Sequence, residues 1–340
     1  MRGLLATSLR GGLVRIRHVT AVRPEEAHGT VAAVYRQTER DFGALAPPVA
    51  LHSPAPGVLA AAWAMLRETL LVEAAASRAA KEAVATGVSE ANTCPYCVQI
   101  HGAALSGLDR GGRDGPAFAW ARGSGPDASA GAAPPPCAPA AVPELVGVAV
   151  AFHYLNRMVN VFLDDSPLPA TTPAAARGPV LRIVTRSLRA QSARAPAPGD
   201  SLPLLPAAPP PADLAWAAGK AHIEGAFARA AAAVDAAGAR AVPAAVRDLV
   251  LAELADWDGR PPGMARTWLE DRVRPLPAGT RPAARLALLT ALASYQVSPA
   301  DIDAVRDTVD GPADQRLVEL TSWAALAAAR RAGTRLARPR

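Results

Sequence analysis

Apolar residues recur along this chain at helical spacing. Between Val58 and Ala76, Leu59, Trp63, Leu66 and Leu70 fall three or four positions apart, the interval that puts side chains on one face of an α-helix. The same period predicts a helix from Pro24-Glu25-Glu26 through Tyr35 and Phe42, closed by Ala46-Pro47-Pro48, and another from Ser77 to Glu90. Asn92-Thr93 breaks the latter. Pro95 then opens a new helix, because proline is favoured at a first helical position, where its missing N–H would lack a partner anyway. Val142 to Leu163 is a strongly apolar helix carrying His153, Asn156 and Arg157. Further on, Asp213 to Ala237, Val242 to Asp256, Arg281 to Gln296 and Ala313 to Ala332 all read as helices. Stretches dense in Val, Ile and Thr are too short for a sheet, so the expected fold is all-α.

Two stretches break the pattern. Residues 111 to 143 are rich in Gly, Ala, Ser and Pro, a composition that buries little apolar surface, and read as a long loop. Residues 166–212 are rich in Pro and Arg and read as a linker. The expected organisation is therefore a leader (1–23), a helical domain (24–165), the linker (166–212) and a second helical unit (213–336). That second unit resembles a worn tandem copy of the first. Laying Arg247-Asp248 over Lys81-Glu82 brings AHIEGAFARAAAAVD near HSPAPGVLAAAWAMLRE, and LVELTSWAALAAARR near LVGVAVAFHYLNRMV with a small gap. In this register Arg260, Gly263 and Thr267 stand where the first unit has Cys94, Cys97 and His101. The copy keeps the scaffold without the chemistry.

Composition narrows the function classes. The chain has 340 residues, half of them apolar, a net charge of +6 and only 4% aromatics. Its arginines are interleaved with Asp and Glu rather than gathered into a basic stripe with stacking aromatics, so nucleic acid is not an expected partner. No apolar run reaches the ~18 residues that span a bilayer. Arg10, Arg15 and Arg17 interrupt the N-terminal run that a signal peptide would need. The expectation is a cytoplasmic protein without a membrane partner, where a CxxC pair is catalytic or metal-binding rather than a structural staple.

The chemistry concentrates at Cys94-Pro95-Tyr96-Cys97, followed by Val98-Gln99-Ile100-His101 and preceded by Glu82. On a helix begun by Pro95, with Cys94 as N-cap, Cys94, Cys97 and His101 share one face. Sulfurs at i and i+3 in a first turn can approach disulfide geometry with little strain, and helix N-termini stabilise thiolates. His101 can accept a thiol proton and Glu82 can orient or recharge that imidazole. Such a set suits attack on a peroxide, because the leaving oxygen must be protonated and a second thiol can displace the sulfenic acid. Zinc would have three ligands here and no second CxxC or HxxxH to complete a tetrahedral site; Val98 after Cys97 is not the histidine of a haem attachment. No metal or cofactor is expected. Tyr96, His153 and Asn156 are candidate pocket residues, with a buried polar cluster the favoured reading of the last two.

The segment EAVATGVSEANTCPYCVQIH resembles the core signature of the AhpD-like alkylhydroperoxidases, within the carboxymuconolactone decarboxylase superfamily: Glu, eleven residues, CxxC, three residues, His. The resemblance implies an all-helical fold and thiol-dependent reduction of alkyl hydroperoxides or H2O2, with Cys97 peroxidatic and Cys94 resolving. Glu82 and His101 would form the proton relay, and a dithiol or thioredoxin-like protein would regenerate the pair. A homo-oligomer is expected. Local electrostatics alone favours Cys94, nearest the helix end, whereas Cys97 has His101 four residues on as its base. Tyr96 departs from the family pattern, which places a second histidine between the cysteines. Two other readings stay open: a cysteine-independent enzyme acting on a small lactone or acid by proton transfer, and a redox-sensing helical scaffold.

Overall fold

The computed structural model describes residues 16–109, 111–123, 134–191, 196–308 and 311–337. Among them the regular elements are all helical and no strand occurs. In the first half these are α1 (Gly29–Phe42), α2 (Pro47–Ala50), α3 (Pro56–Leu66), α4 (Arg78–Ala91), α5 (Pro95–Leu108), α6 (Pro116–Arg122) and α7 (Val142–Phe162). They are followed by α8 (Ala174–Gln191), α9 (Ala221–Ala241), α10 (Ala244–Ala255), α11 (Thr267–Val273), α12 (Arg281–Ala293), α13 (Pro299–Arg306) and α14 (Ala313–Leu336).

Helix α7 is the spine. Its apolar residues continue round the whole circumference, which suits a helix with neighbours on every side, and it packs along α14, α4 and α3. By length and composition Pro139–Phe162 could cross a membrane, contrary to the expectation that no run is long enough, but 94% of that window is buried inside the protein. Glu144, near the start of α7, explains part of the join between the halves. Its carboxylate lies 2.9 Å from Lys81 Nζ and 3.1 Å from Lys220 Nζ, the only two lysines in the chain, and accepts the backbone N–H groups of Ala75 and Ala76.

Helix α3 ends differently from its period. A π-turn over Arg67–Leu71 follows it, and the chain leaves the helix at Val72 instead of continuing to Ala76. The turn buries Arg67 and Glu68 completely. Arg67 pairs with Asp41 at 2.7 Å, and Glu68 accepts the N–H of Gly199 at 2.8 Å and the hydroxyl of Ser201 at 2.6 Å. These bonds fasten the 199–201 turn to the first helical layer.

The two irregular stretches are more ordered than their composition suggests. Residues 124–133 of the first lie outside the described residues, but α6 forms within it and packs on α4 across Gly87, where an added Cβ would stand 2.6 Å from the carbonyl oxygen of Phe118. Seven residues are too few for a periodic signal. Within the stretch expected as a linker, α8 runs 18 residues, with Pro179 inside it. Its apolar positions Val180, Leu181, Val184 and Leu188 do recur at helical spacing, but Arg and Pro dominate the composition and mask the stripe. Of the leader, residues 1–15 lie outside the described residues; Arg17 N–H donates to the Phe162 carbonyl at 2.8 Å, so the segment after it runs beside the end of α7.

Candidate functional site

The junction of α4 and α5 fixes the first cysteine. Thr93 adopts a left-handed conformation (φ 50°), its N–H donates to Glu90 O at 3.1 Å, and Cys94 N–H donates to Ser89 O at 3.0 Å. That is the two-bond closure that ends a helix over its last carbonyls, a place usually given to glycine. Pro95 then begins α5, and Cys94 O accepts the N–H of Val98 at 3.0 Å. Cys94 therefore terminates one helix and caps the next, so its backbone is held from both sides.

Both cysteines are free thiols and both are buried. Burial, and then contact with Cys97, pushes the Cys94 thiol well above its usual pKa. The nearby Asn156 side chain acts the other way without outweighing the burial. Cys97, one turn into α5, instead lines a cavity together with His101.

Glu82 and His101 meet although no local spacing connects them. Glu82 projects from α4 and His101 from α5, and Glu82 Oε2 lies 2.7 Å from His101 Nδ1. The other carboxylate oxygen, Oε1, accepts Nε and Nη2 of Arg78 at 2.9 and 2.8 Å. Burial alone would raise the Glu82 pKa; the charges of Arg78 and His101 and their hydrogen bonds outweigh it and hold the carboxyl down at about 2. An ionised carboxylate can only accept, so Nδ1 is protonated, and whenever the ring carries a single proton Nε2 is its acceptor. Phe152 of α7 meets the imidazole edge-on at 4.6 Å between centroids, which fixes the ring plane. Arg78 was legible as the i, i+4 partner of Glu82 but was not singled out in the sequence; nothing in the sequence pointed to Phe152.

The cavity has a volume of about 450 Å3. Cys97, His101 and Tyr96 line it from α5, Phe42 from the end of α1, Phe152 from α7, and Val184 and Leu188 from α8. None of its lining residues comes from 213–336. A much smaller cleft of about 40 Å3 shares His101, Ile100, Phe42 and Leu188 with it and adds the polar groups of Glu82, Arg78, Asp41 and Thr185. His101 thus stands between an apolar chamber and a polar one.

His153 and Asn156 do not line the cavity. They sit on the far side of Cys94, where Asn92 Nδ2 lies 3.1 Å from both His153 Nδ1 and Asn156 Oδ1, and Asn156 Nδ2 donates to Ser89 at 3.1 Å. Arg157 completes the cluster, donating to Ala291 O at 2.9 Å and Asn92 Oδ1 at 3.3 Å. Burial, reinforced by the charges of Arg157 and Arg335, pushes His153 well below its usual pKa, so its ring is neutral. The cluster ties α4, α7 and α12 together behind the thiols. Among the described residues no group of three or more His, Cys, Asp or Glu is placed to hold a metal ion.

No family model and no solved structure matches the chain. A protein of Mycobacterium tuberculosis named alkyl hydroperoxide reductase is 38% identical over 336 residues, covering 94% of each chain.

Proposed function

Because the chain belongs to the AhpD-like alkylhydroperoxidase family of the carboxymuconolactone decarboxylase superfamily, we propose that it is a thiol-dependent peroxidase working through Cys97 and Cys94. The observation that carries this reading is the division of labour at the motif: Cys97 faces a cavity beside an imidazole aligned by Glu82, while Cys94 is sealed behind it.

In the proposed cycle His101 Nε2 takes the Cys97 proton, leaving a thiolate. The thiolate attacks the terminal oxygen of ROOH; an S–O bond forms, the O–O bond breaks, and the alkoxide leaves as ROH with the proton from His101. Glu82 keeps the imidazole in the useful tautomer and stabilises it when charged. Cys94 then attacks the Cys97 sulfur. An S–S bond forms and the hydroxyl departs as water, taking up the Cys94 proton. The raised pKa of Cys94 is compatible with that late role, because its proton is needed until the hydroxyl leaves. An external dithiol or thioredoxin-like protein supplies two electrons and two protons to restore both thiols.

Residues 213–336 fit a degenerate second copy. The register that lays Arg247-Asp248 on Lys81-Glu82 lays α4 on α10, and the helices matched across the copies also pack together: α3 along α9, α7 along α14. In this reading the second unit buttresses the first in place of a partner subunit, and any homo-oligomer forms around that pair.

The test is turnover of peroxide with dihydrolipoamide, thioredoxin or glutathione as reductant, alongside Cys97→Ser and Cys94→Ser. Cys97→Ser is expected to abolish turnover. Cys94→Ser is expected to consume one equivalent of peroxide and stop at a sulfenic acid on Cys97. Undiminished turnover in Cys97→Ser sinks the proposal.

A further inference from the structure

The segment between the two helical units supplies part of the site's wall, and its chemistry bears on the substrate. Helix α8 lies on α5 and α1. It turns Val180, Leu181, Val184 and Leu188 toward the cavity, while Arg177, Arg182, Ile183 and Arg186 remain exposed on its outer side. Both flanks are tied down. Before the helix, Asp165 O accepts from Gln99 Nε2 of α5 at 2.9 Å; after it, Glu68 holds Gly199 and Ser201. Helix α8 is thus a lid on one side of the cavity, packed through its apolar stripe and wetted on its basic face.

The chamber under the lid is larger and more apolar than hydrogen peroxide needs. At about 450 Å3 it far exceeds the ~10–15 Å3 a cavity needs to hold one water. Its walls offer H2O2 few partners to replace the hydrogen bonds it makes in water. An aliphatic chain loses nothing by leaving water and gains contact with every wall. The polar end of such a molecule is met by Cys97 and His101, where the apolar chamber adjoins the small polar cleft of Arg78 and Glu82; the other polar lining residues, Asp164 and Ser166, are less buried than Cys97.

We infer that α8, through Val184 and Leu188, selects among alkyl hydroperoxides by chain length and favours those borne on an extended apolar chain. This rests on the peroxidase reading above. The reaction is the one already written, with R the chain: Cys97 takes the terminal oxygen and the alcohol departs with the proton from His101. Residues of the inter-unit segment are then specificity determinants, though the sequence signature of the family lies wholly upstream of them.

The experiment measures kcat/KM for H2O2 and for ethyl, butyl, octyl and dodecyl hydroperoxide, in the full chain with a small-molecule dithiol. Burial of each methylene is expected to raise kcat/KM by about two- to fourfold until the chamber is full. Val184→Trp, which fills the chamber from the lid, is expected to lower the dodecyl-to-ethyl ratio by at least about tenfold. Binding of 1-dodecanol, the product alcohol, is measured alongside because it needs no chemistry; tight binding by the wild type, weakened in Val184→Trp, is the expected result. Equal kcat/KM across the series, or an unchanged ratio in a Val184→Trp variant of native helical content, overturns the chain inference and leaves the peroxidase reading standing. Failure to consume any peroxide, H2O2 included, overturns that reading and this inference with it.

Discussion

Nδ1 of His101 lies 2.7 Å from Oε2 of Glu82, a contact made between neighbouring helices by residues 19 apart in sequence. The bond decides which nitrogen of the imidazole is free. Glu82→Gln removes the charge that holds the Nδ1 proton and leaves an amide able to present either face. Peroxide turnover is expected to fall by about 100-fold, within the usual range for general acid–base catalysis. Stopped-flow oxidation of the thiols, with circular dichroism to establish that the helices persist, measures it; an unchanged rate removes Glu82 from the relay.

Stability should decline toward acid in two pH ranges. His52 is wholly buried and burial lowers its pKa from 6.5 to about 4, so the unfolded chain binds a proton that the native state refuses. Stability from this group is full above pH 6.5 and is lost as the pH falls toward 4, about 3 kcal/mol in all. Glu82 acts lower down: its folded pKa of about 2 lies below the ordinary 4.5, so its contribution is present above pH 4.5 and disappears as pH falls through 2. Urea midpoints measured from pH 7.5 to 2.5 should therefore decline in both ranges. His52→Gln should lessen the upper decline without abolishing it, because the buried neutral His153 titrates with the same sign, and should leave the lower one unchanged.

Thr93 is a β-branched residue at φ 50°, exposed to solvent, in the turn that sets Cys94. Glycine takes that conformation without strain. Thr93→Gly is expected to stabilise the protein by about 1 kcal/mol, read as a rise in Tm. A fall in Tm would mean that the threonine side chain supports the turn.

Lys81 is buried against Glu144, and the pair closes the first unit beneath α7. Lys81→Met leaves the carboxylate with Lys220 and two backbone donors but without its deepest partner. A loss of about 2–4 kcal/mol in unfolding free energy is expected, because a buried carboxylate deprived of a cation retains its desolvation cost. Denaturant unfolding measures it; a loss below about 0.5 kcal/mol would show that Lys220 compensates.

Much of the site was legible because its signal is local. Cys94, Cys97 and His101 share one helix face by their spacing, and Pro95 marks where that helix starts. Glu82 was readable as a carboxylate that could orient the imidazole, but nothing within its own helix points at His101, and only the family pattern ties the two residues together. Helix α8 was missed as a helix because Pro and Arg obscure an apolar stripe that becomes meaningful only when a cavity lies beneath it. His153 and Asn156 share a helix with Phe152, which faces the cavity, but sit behind Cys94; adjacency in sequence did not indicate the side on which each would fall.

The sequence by itself determined the all-helical architecture and the order of the reactive groups along α5, because helical period and capping are properties of a few neighbouring residues. Tertiary structure alone decided which thiol faces the cavity, which imidazole nitrogen is free and which helix roofs the chamber. Those depend on how α4, α5, α7 and α8 pack, and packing sums contacts between residues that no local pattern connects.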